Sequence, residues 1–385
     1  MYLNMKTLLM TFILTSFLAV SQDANDFMDE VDKNRVISTL MEFSGEVEVE
    51  DIGLILNRSK ESGKEKARVY LSNKFNELGL GVQSDNFSTN NRNGINIIGE
   101  QQGSLYSDSI VIICAHYDSV DEYCADDNAS GVSAVLEAAR VFSEYKFERT
   151  IYYALWDLEE YGLYGSQDYA FKAYNNGDKI SAVINLDMIG YDGNDDLLFE
   201  IHSKNELDQD YLFNEITKVL DDSDLSLKPR GIFPGITNSD HSSFWAYGYP
   251  AVLVTEGYKS NDFNPNYHSS LDRVEGISEN YLTQLTKLVV GTTSKIAVLD
   301  KSTSVERNIV NSNIYYNPIT ESLTIKNTNI QDFKNIEIFD ISGYSIRIQK
   351  FNIDNNSISV SELNSGVYFI KIDDKAKSIS KFIKY

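Results

Sequence analysis

The stretch SIVIICAHYDSVDEYCADDNASG, Ser109 to Gly131, decides how the rest of the chain is read. Its apolar run, Ile110 to Cys114, is rich in β-branched residues and uncharged, which predicts a buried strand. His116 and Asp118 stand at the end of that run, followed by an acidic loop and then Asp126, Asp127 and Asn128. Ala129-Ser130-Gly131 opens an amphipathic helix with Val132, Val135, Leu136, Ala139 and Phe142 on one face. A histidine and several carboxylates thus fall where a strand ends and a helix begins, the edge at which open α/β sheets place their ligands. The stretch reads as half of a metal site.

The flanking sequence extends the pattern. Asp23 to about Asp51 predicts one or two packed helices. Glu61 to Leu78 predicts a clearer one, stopped by Gly79. Gly81 to Phe87 and Gly94 to Gly99 read as short strands. Thr150 to Trp156 is a strand ending in Asp157-Leu158-Glu159-Glu160, and Ile180 to Leu186 is another, ending at Asp187. Gly165 to Tyr174, Leu207 to Leu220 and Ser278 to Leu299 predict helices, and Tyr249 to Thr255 a further strand. Strands separated by helices predict an α/β fold: a mainly parallel mixed sheet with helices on both faces.

With 385 residues the chain has room for two domains. The net charge of -23 is uneven: residues 301–385 carry 11 Lys+Arg against 9 Asp+Glu, leaving 23 against 48 in residues 1–300. Such a field repels nucleic acid and anionic lipid and attracts cations and amines, so no nucleic-acid partner is expected. Lys6 precedes an apolar core of Leu8 to Leu18 and the small residues Ala19-Val20-Ser21, which predicts a signal peptide over residues 1–21. No other run is long enough to cross a bilayer, so a secreted or cell-surface chain without a transmembrane span is expected. Cys114 and Cys124 leave two readings open, one local disulfide or two free thiols.

Residues 22–300 form the expected catalytic domain. The style changes around residues 301–312, read as a linker, and residues 313–385 consist of short alternating stretches punctuated by turns such as Asn317-Pro318 and Ser342-Gly343. Regular short strands without a helix predict a small all-β sandwich. It contains neither His nor Cys and no catalytic constellation.

The candidate ligands are His116, Asp127, Glu160, Asp187 and His268. Two zinc ions need one bridging carboxylate and two terminal ligands each, and one Asp, two His, one Glu and a further Asp supply that set. Asp118 is placed to bond the other ring nitrogen of His116 and fix its tautomer. Glu159 and Glu160 are neighbours whose side chains diverge, so one suits a ligand and the other a general base; a solvated acidic turn is the plainer reading of the pair. Tyr191 to Asp196 (YDGNDD) reads either as a calcium loop or, more simply, as a solvated turn.

Six segments in order, AHYDS, ADDNASG, DLEEYGLYGS, NLDMIG, SDHSSF and YHSSLD, resemble the landmarks of the two-zinc exopeptidases. That family groups secreted leucyl-aminopeptidase-type enzymes with glutamate carboxypeptidase and glutaminyl cyclase, and the resemblance spans roughly residues 30–300. It implies that Asp127 bridges two zinc ions, with His116 and Asp187 completing one site and Glu160 and His268 the other. It further implies that Glu159 is the general base, that Asp118 is the carboxylate behind His116, and that Tyr267 donates a hydrogen bond to the tetrahedral intermediate. A cis peptide after Asp127 is also implied. Two departures stand out. Leu158 replaces a small residue before the Glu pair, and Asn238 stands where some relatives carry a product-binding arginine, for which Arg230 is a distant substitute.

The C-terminal module resembles the sorting domain of the type IX secretion system, through Ile338-Phe339-Asp340-Ile341-Ser342-Gly343, Leu363-Asn364-Ser365-Gly366-Val367-Tyr368 and the closing Lys381-Phe382-Ile383-Lys384-Tyr385. That implies an outer-membrane secretion partner; a carbohydrate-binding or adhesion sandwich is the competing reading. The expected function is a secreted zinc aminopeptidase acting on peptides with a free N-terminus. The alternatives are a one-zinc glutaminyl cyclase, a carboxypeptidase of the same fold, and a non-catalytic binding protein, which the full ligand set opposes.

Overall fold

The computed structural model describes residues 23–89, 91–206, 210–298 and, beyond them, strands and one turn between 313 and 384. The expected signal peptide at 1–21 and linker at 301–312 lie outside the described residues. The chain divides into two compact units, Met1–Lys301 and Ser302–Tyr385.

The first unit begins with α1 (Ala24–Asp29) and α2 (Lys33–Phe43), whose first turns are capped by Asp23 and Asp32 side chains. α3 (Glu61–Glu77) buries Ala67, Tyr70, Leu71 and Phe75. β1 (Gly81–Ser88) and β2 (Asn93–Gln101) form an antiparallel hairpin. β3 (Tyr106–His116) leads through a π-helical turn, Ala125–Ser130, into α4 (Gly131–Ser143). Then come β4 (Arg149–Trp156), α5 (Tyr164–Asn176), β5 (Lys179–Leu186), β6 (Leu198–His202) and α6 (Tyr211–Asp221). β7 (Lys228–Ile232), α7 (His241–Trp245), β8 (Ala251–Thr255) and α8 (Glu279–Ala297) complete the unit.

Eight strands form one sheet in the order β1-β2-β4-β3-β5-β8-β6-β7. The run β4-β3-β5-β8 is parallel throughout, as is β6-β7, while β1-β2, β2-β4 and β8-β6 are antiparallel. The sheet is therefore mixed, with a parallel centre. β3 lies inside it and alternates between two cores: Val111, Ile113 and Ala115 face one apolar cluster, Ile110, Ile112 and Cys114 the other. Burial on both faces is why its sequence reads as an unbroken apolar run.

Register brings the strand ends together. His116 pairs with Trp156, and Cys114 with Asn185, so the carboxyl ends of β3, β4 and β5 lie side by side. The short elements were the ones that escaped the sequence reading, β7 and α7 most clearly. β7 (KPRGI) is a half-exposed edge strand with a Pro and a Gly in five residues, and α7 spans only five.

The second unit holds β9 (Asn313–Asn317), β10 (Ser322–Lys326), β11 (Ile336–Asp340), β12 (Ser345–Ile346), β13 (Phe351–Asn352), β14 (Ser357–Ser359), β15 (Gly366–Ile372) and β16 (Ser378–Lys384). They form two antiparallel four-stranded sheets, β13-β14-β10-β9 and β12-β11-β15-β16. Leu323, Ile338, Val360 and Ile370 are buried there. Among the described residues no helix is long and apolar enough to cross a membrane.

Candidate metal centre

The carboxyl edge of the sheet opens into a cleft of about 290 Å³ lined by His116, Asp127, Glu159, Glu160, Asp187, Tyr267 and His268. His116 ends β3 and Asp187 follows β5; Glu159 and Glu160 follow β4; Asp127 lies in the π-helical turn. All five candidate ligands fall into two trios, His116–Asp127–Asp187 and Asp127–Glu160–His268, each with ligand atoms within 4.8 Å of one another. Asp127 belongs to both, one oxygen to each: Oδ1 lies 3.1 Å from His116 Nε2 and Oδ2 lies 3.3 Å from His268 Nε2. Asp187 Oδ1 is 3.3 Å from His116 Nε2, and Glu160 Oε2 is 3.1 Å from His268 Nε2.

The donors fit a cation pair. Each trio has two carboxylates and one imidazole, the nitrogen and oxygen set that zinc takes. Glu160 Oε1 is buried with no partner, an oxygen without a counter-charge in a cleft whose lining includes no Lys or Arg. Burial pushes the Glu160 carboxyl up to about 7, with the Asp127 charge adding to it. Burial also works against ionising Asp127, but hydrogen bonds from His116 and His268 outweigh it and hold that carboxyl below its ordinary range.

Around the trios a supporting layer fixes each candidate ligand. Ser239 Oγ donates to Asp187 Oδ2 at 2.6 Å. The role expected for Asp118 is divided between two of its groups. Its main-chain carbonyl, 3.2 Å away, accepts the His116 Nδ1 proton, while its carboxylate stands 3.6 Å off, beyond hydrogen-bond length. The carboxylate instead accepts the backbone N–H groups of Glu159 (3.1 Å) and Glu160 (3.4 Å), which aims both glutamates. Glu159 is buried, and burial pushes its carboxyl well above the usual range against the pull of His116. The Tyr267 ring stacks on His268 with centroids 3.7 Å apart.

Residues that the sequence reading left without a role hold this edge together. Asp272 accepts from the backbone nitrogens of Asp126 (3.1 Å) and Asp127 (3.0 Å), tying the loop of His268 to the residue that both trios share. Asp126 accepts from Gly190 N (2.8 Å) and Asn264 Nδ2 (3.0 Å), and burial raises both its carboxyl and that of Glu256 beside it. Arg58, fully buried, donates to the carbonyls of Phe43, Tyr117, Tyr123 and Cys124. The AHYDS and YHSSLD segments contain part of this layer, but a lone Arg58 in polar sequence gives no signal.

The peptide between Asp127 and Asn128 is cis. Leu158, Met188 and His268, each at or beside a site residue, have positive φ of 60°, 55° and 58°. Non-glycine residues rarely adopt that region, and such strain gathers at functional sites. Leu158 is also buried, which explains how a large residue is tolerated before the Glu pair: its side chain fills core space. Arg230 lies on β7 and donates to Ser260 Oγ at 2.7 Å; it does not line the cleft. Cys114 and Cys124 are both buried free thiols. In the YDGNDD turn, Asp192 and Asp196 come together with Asp262, and Asp192 accepts from the backbone of Asp196 and Leu197.

Residues 96–293 match the model of peptidase family M28, just over half of the chain. The chain belongs to this family. The resemblance to the exopeptidases is thereby borne out, and so is that of the C-terminal module, since residues 313–384 match the secretion system C-terminal sorting domain. Over 210 residues the M28 unit is 31% identical to a probable leucine aminopeptidase of Trichophyton verrucosum, covering 51% of this chain and 55% of that protein. The chain thus spans about half the length of the curated relatives it matches. Among solved structures it is similar to the LapA aminopeptidase of Legionella pneumophila, with a TM-score of 0.60, 24% identity and coverage of 71% and 74% of the two chains. It is also similar to a zinc aminopeptidase of Bacillus subtilis, with a TM-score of 0.59, 18% identity and coverage of 71% and 96%. These likenesses show the shared α/β fold.

Proposed function

We propose that this M28 protein is an exported zinc aminopeptidase holding two metal ions bridged by Asp127. The observation that carries the reading is Asp127 itself, which offers one oxygen to each of two histidine–carboxylate trios. The membership of His116 in the first trio favours two ions over the one-zinc cyclase. Two zinc ions, when bound, would supply Lewis acidity and lower the pKa of a water in the cleft.

The chain's own groups would do the rest. Glu159, outside both trios and buried in the same cleft, takes the proton of the attacking water. It then holds that proton and delivers it to the departing amine as the tetrahedral intermediate collapses. Asp118 keeps Glu159 aimed through its backbone N–H. Tyr267, its ring fixed against His268, donates its phenolic proton in a hydrogen bond to the developing oxyanion. The acidic lining suits a substrate's free α-ammonium group. Met188, Ile236, Leu253, Tyr258 and Phe263, also in the lining, give the cleft an apolar component suited to an apolar N-terminal side chain. The sorting-domain match supports delivery through the type IX machinery to the cell surface or beyond.

The test is hydrolysis of a panel of aminoacyl anilides by the full chain, with and without chelator, beside Glu159→Gln. Chelator-sensitive cleavage that requires the free amine is expected, with the variant losing at least ~10²-fold in kcat at unchanged metal content. Near-normal turnover by the variant removes Glu159 from the proton transfer.

A further inference from the structure

Two buried histidines lie outside both trios. His202 ends β6 and His241 begins α7, and neither has measurable exposure. His202 Nδ1 accepts the backbone N–H of Ile236 at 3.2 Å. Its proton therefore sits on Nε2, which donates to Glu200 Oε2 at 3.0 Å. His241 Nε2 donates to the carbonyl of the same Ile236 at 2.9 Å, and burial keeps this ring neutral, its pKa pushed down to about 3. The N–H and the C=O of one residue thus both end on buried imidazoles carried by different elements. Gly235 N donates to Ser203 O at 2.8 Å, and a Cβ at Gly235 would come within 2.9 Å of both His202 Cβ and the Trp245 ring.

Glu200 also binds the 259–260 segment. Its carboxylate accepts from Lys259 N at 2.9 and 3.0 Å and from Ser260 Oγ at 2.6 Å. Lys259 follows Tyr258, and Tyr258 and Ile236 are both walls of the cleft. Glu200 and His202 are two apart on β6 and so share one face, while Phe199 and Ile201 on the other enter the apolar core. A buried carboxylate hydrogen-bonded to an imidazole is a poor source of stability compared with packed apolar side chains of similar size. What it adds is geometry: one hydrogen-bonded unit that locates two walls contributed by separate loops.

We infer that Glu200 and His202 are positioning residues that set the width of the pocket for the substrate's N-terminal side chain, favouring branched apolar residues such as leucine over alanine. The inference rests on the aminopeptidase reading. Neither residue lines the cleft, so both act through Ile236 and Tyr258.

The experiment compares kcat and KM for leucyl and alanyl anilides in the zinc-loaded full chain, His202→Leu, His202→Asn and Glu200→Gln. Leu removes both bonds of His202, whereas Asn retains an acceptor for the Ile236 N–H. In His202→Leu the leucyl-to-alanyl ratio of kcat/KM should fall about tenfold, through a raised KM for the leucyl substrate with alanyl turnover little changed. Asn should restore most of the ratio, and Glu200→Gln should lower it through the Tyr258 wall. Zinc content and circular dichroism report that each variant is folded and loaded. Equal losses on both substrates, or an unchanged leucyl-to-alanyl ratio, in folded His202→Leu or, where that variant does not fold, in Glu200→Gln overturn the inference and leave the aminopeptidase reading standing. A zinc-loaded wild type that cleaves neither substrate overturns both together.

Discussion

The two trios share Asp127 and little else. His116 is almost wholly enclosed (side chain 1% exposed) at the end of a central strand, and His268 is 40% exposed on a loop in left-handed backbone conformation. The first half of the centre is built by the core. β3 and β5 are packed on both faces, so His116 and Asp187 arrive at fixed positions once the sheet forms. The second half depends on polar bonds across the chain. Asp272 and Asn264, from the segment containing His268, grip the backbone of Asp126 and Asp127 and the side chain of Asp126. One trio is inherited from the fold, and the other is fastened to it.

The largest expected effect tests the sharing. Asp127→Ala should remove both metal ions together and reduce turnover by more than the ~10²–10³-fold that losing a single oxyanion donor costs. His116→Ala and His268→Ala should each leave metal at the other trio, the exposed one being the easier to empty. Metal content after dialysis against chelator at stepped concentrations distinguishes the three. Retention of one full equivalent by Asp127→Ala would break the comparison at its root.

A smaller effect tests whether the enclosed half is anchored by the fold. Arg58 is buried and spends its guanidinium on four carbonyls, three of them within the 117–124 loop that links His116 to Asp127. Arg58→Ala leaves these acceptors unpaired and should cost about 3–5 kcal/mol. Both tryptophans, Trp156 and Trp245, lie in the first unit, so fluorescence-detected urea unfolding reports that unit alone. A loss under 1 kcal/mol would mean that the loop is held by other contacts.

The same contrast explains what the sequence disclosed. His116 and Asp187 stood out because apolar strands announce their own ends. His268 has no such signal: it lies between polar residues in a loop, and it entered the candidate set only as the second imidazole that a two-zinc ligand set calls for. The layer behind the ligands was less legible still. Arg58, Glu200, His202 and Asp272 are distant in sequence from what they hold, and a buried polar residue looks like a surface one until the chain is folded. The Asp118 reading shows the limit well. Spacing placed a carboxylate near His116, but could not tell which oxygen of the residue faces the ring, nor that the carboxylate turns toward Glu159 and Glu160.

The smallest expected effect is electrostatic and concerns the metal-free protein. Hydrogen bonds to Asp127 and Glu160 raise His268 to about 10 against the opposing effect of burial. Burial also opposes protonation of His116, yet the charges of Glu159 and Asp187 raise it well above its ordinary value. A histidine whose pKa is higher in the folded than in the unfolded chain contributes stability that is complete below its unfolded value, ~6.5. That contribution is lost as pH rises through the folded pKa. The metal-free melting temperature should therefore decline from about neutrality to pH 10 through His268, and His268→Gln should flatten the decline. Exposure makes the two halves differ in salt. Going from ~0.05 to ~0.5 M salt should shrink the part due to His268, which mobile ions reach, and spare the part due to enclosed His116. Melting curves of metal-free wild type, His116→Gln and His268→Gln across pH at both salt levels measure this. Equal salt sensitivity of the two histidines would show that the enclosed and exposed halves are electrostatically alike.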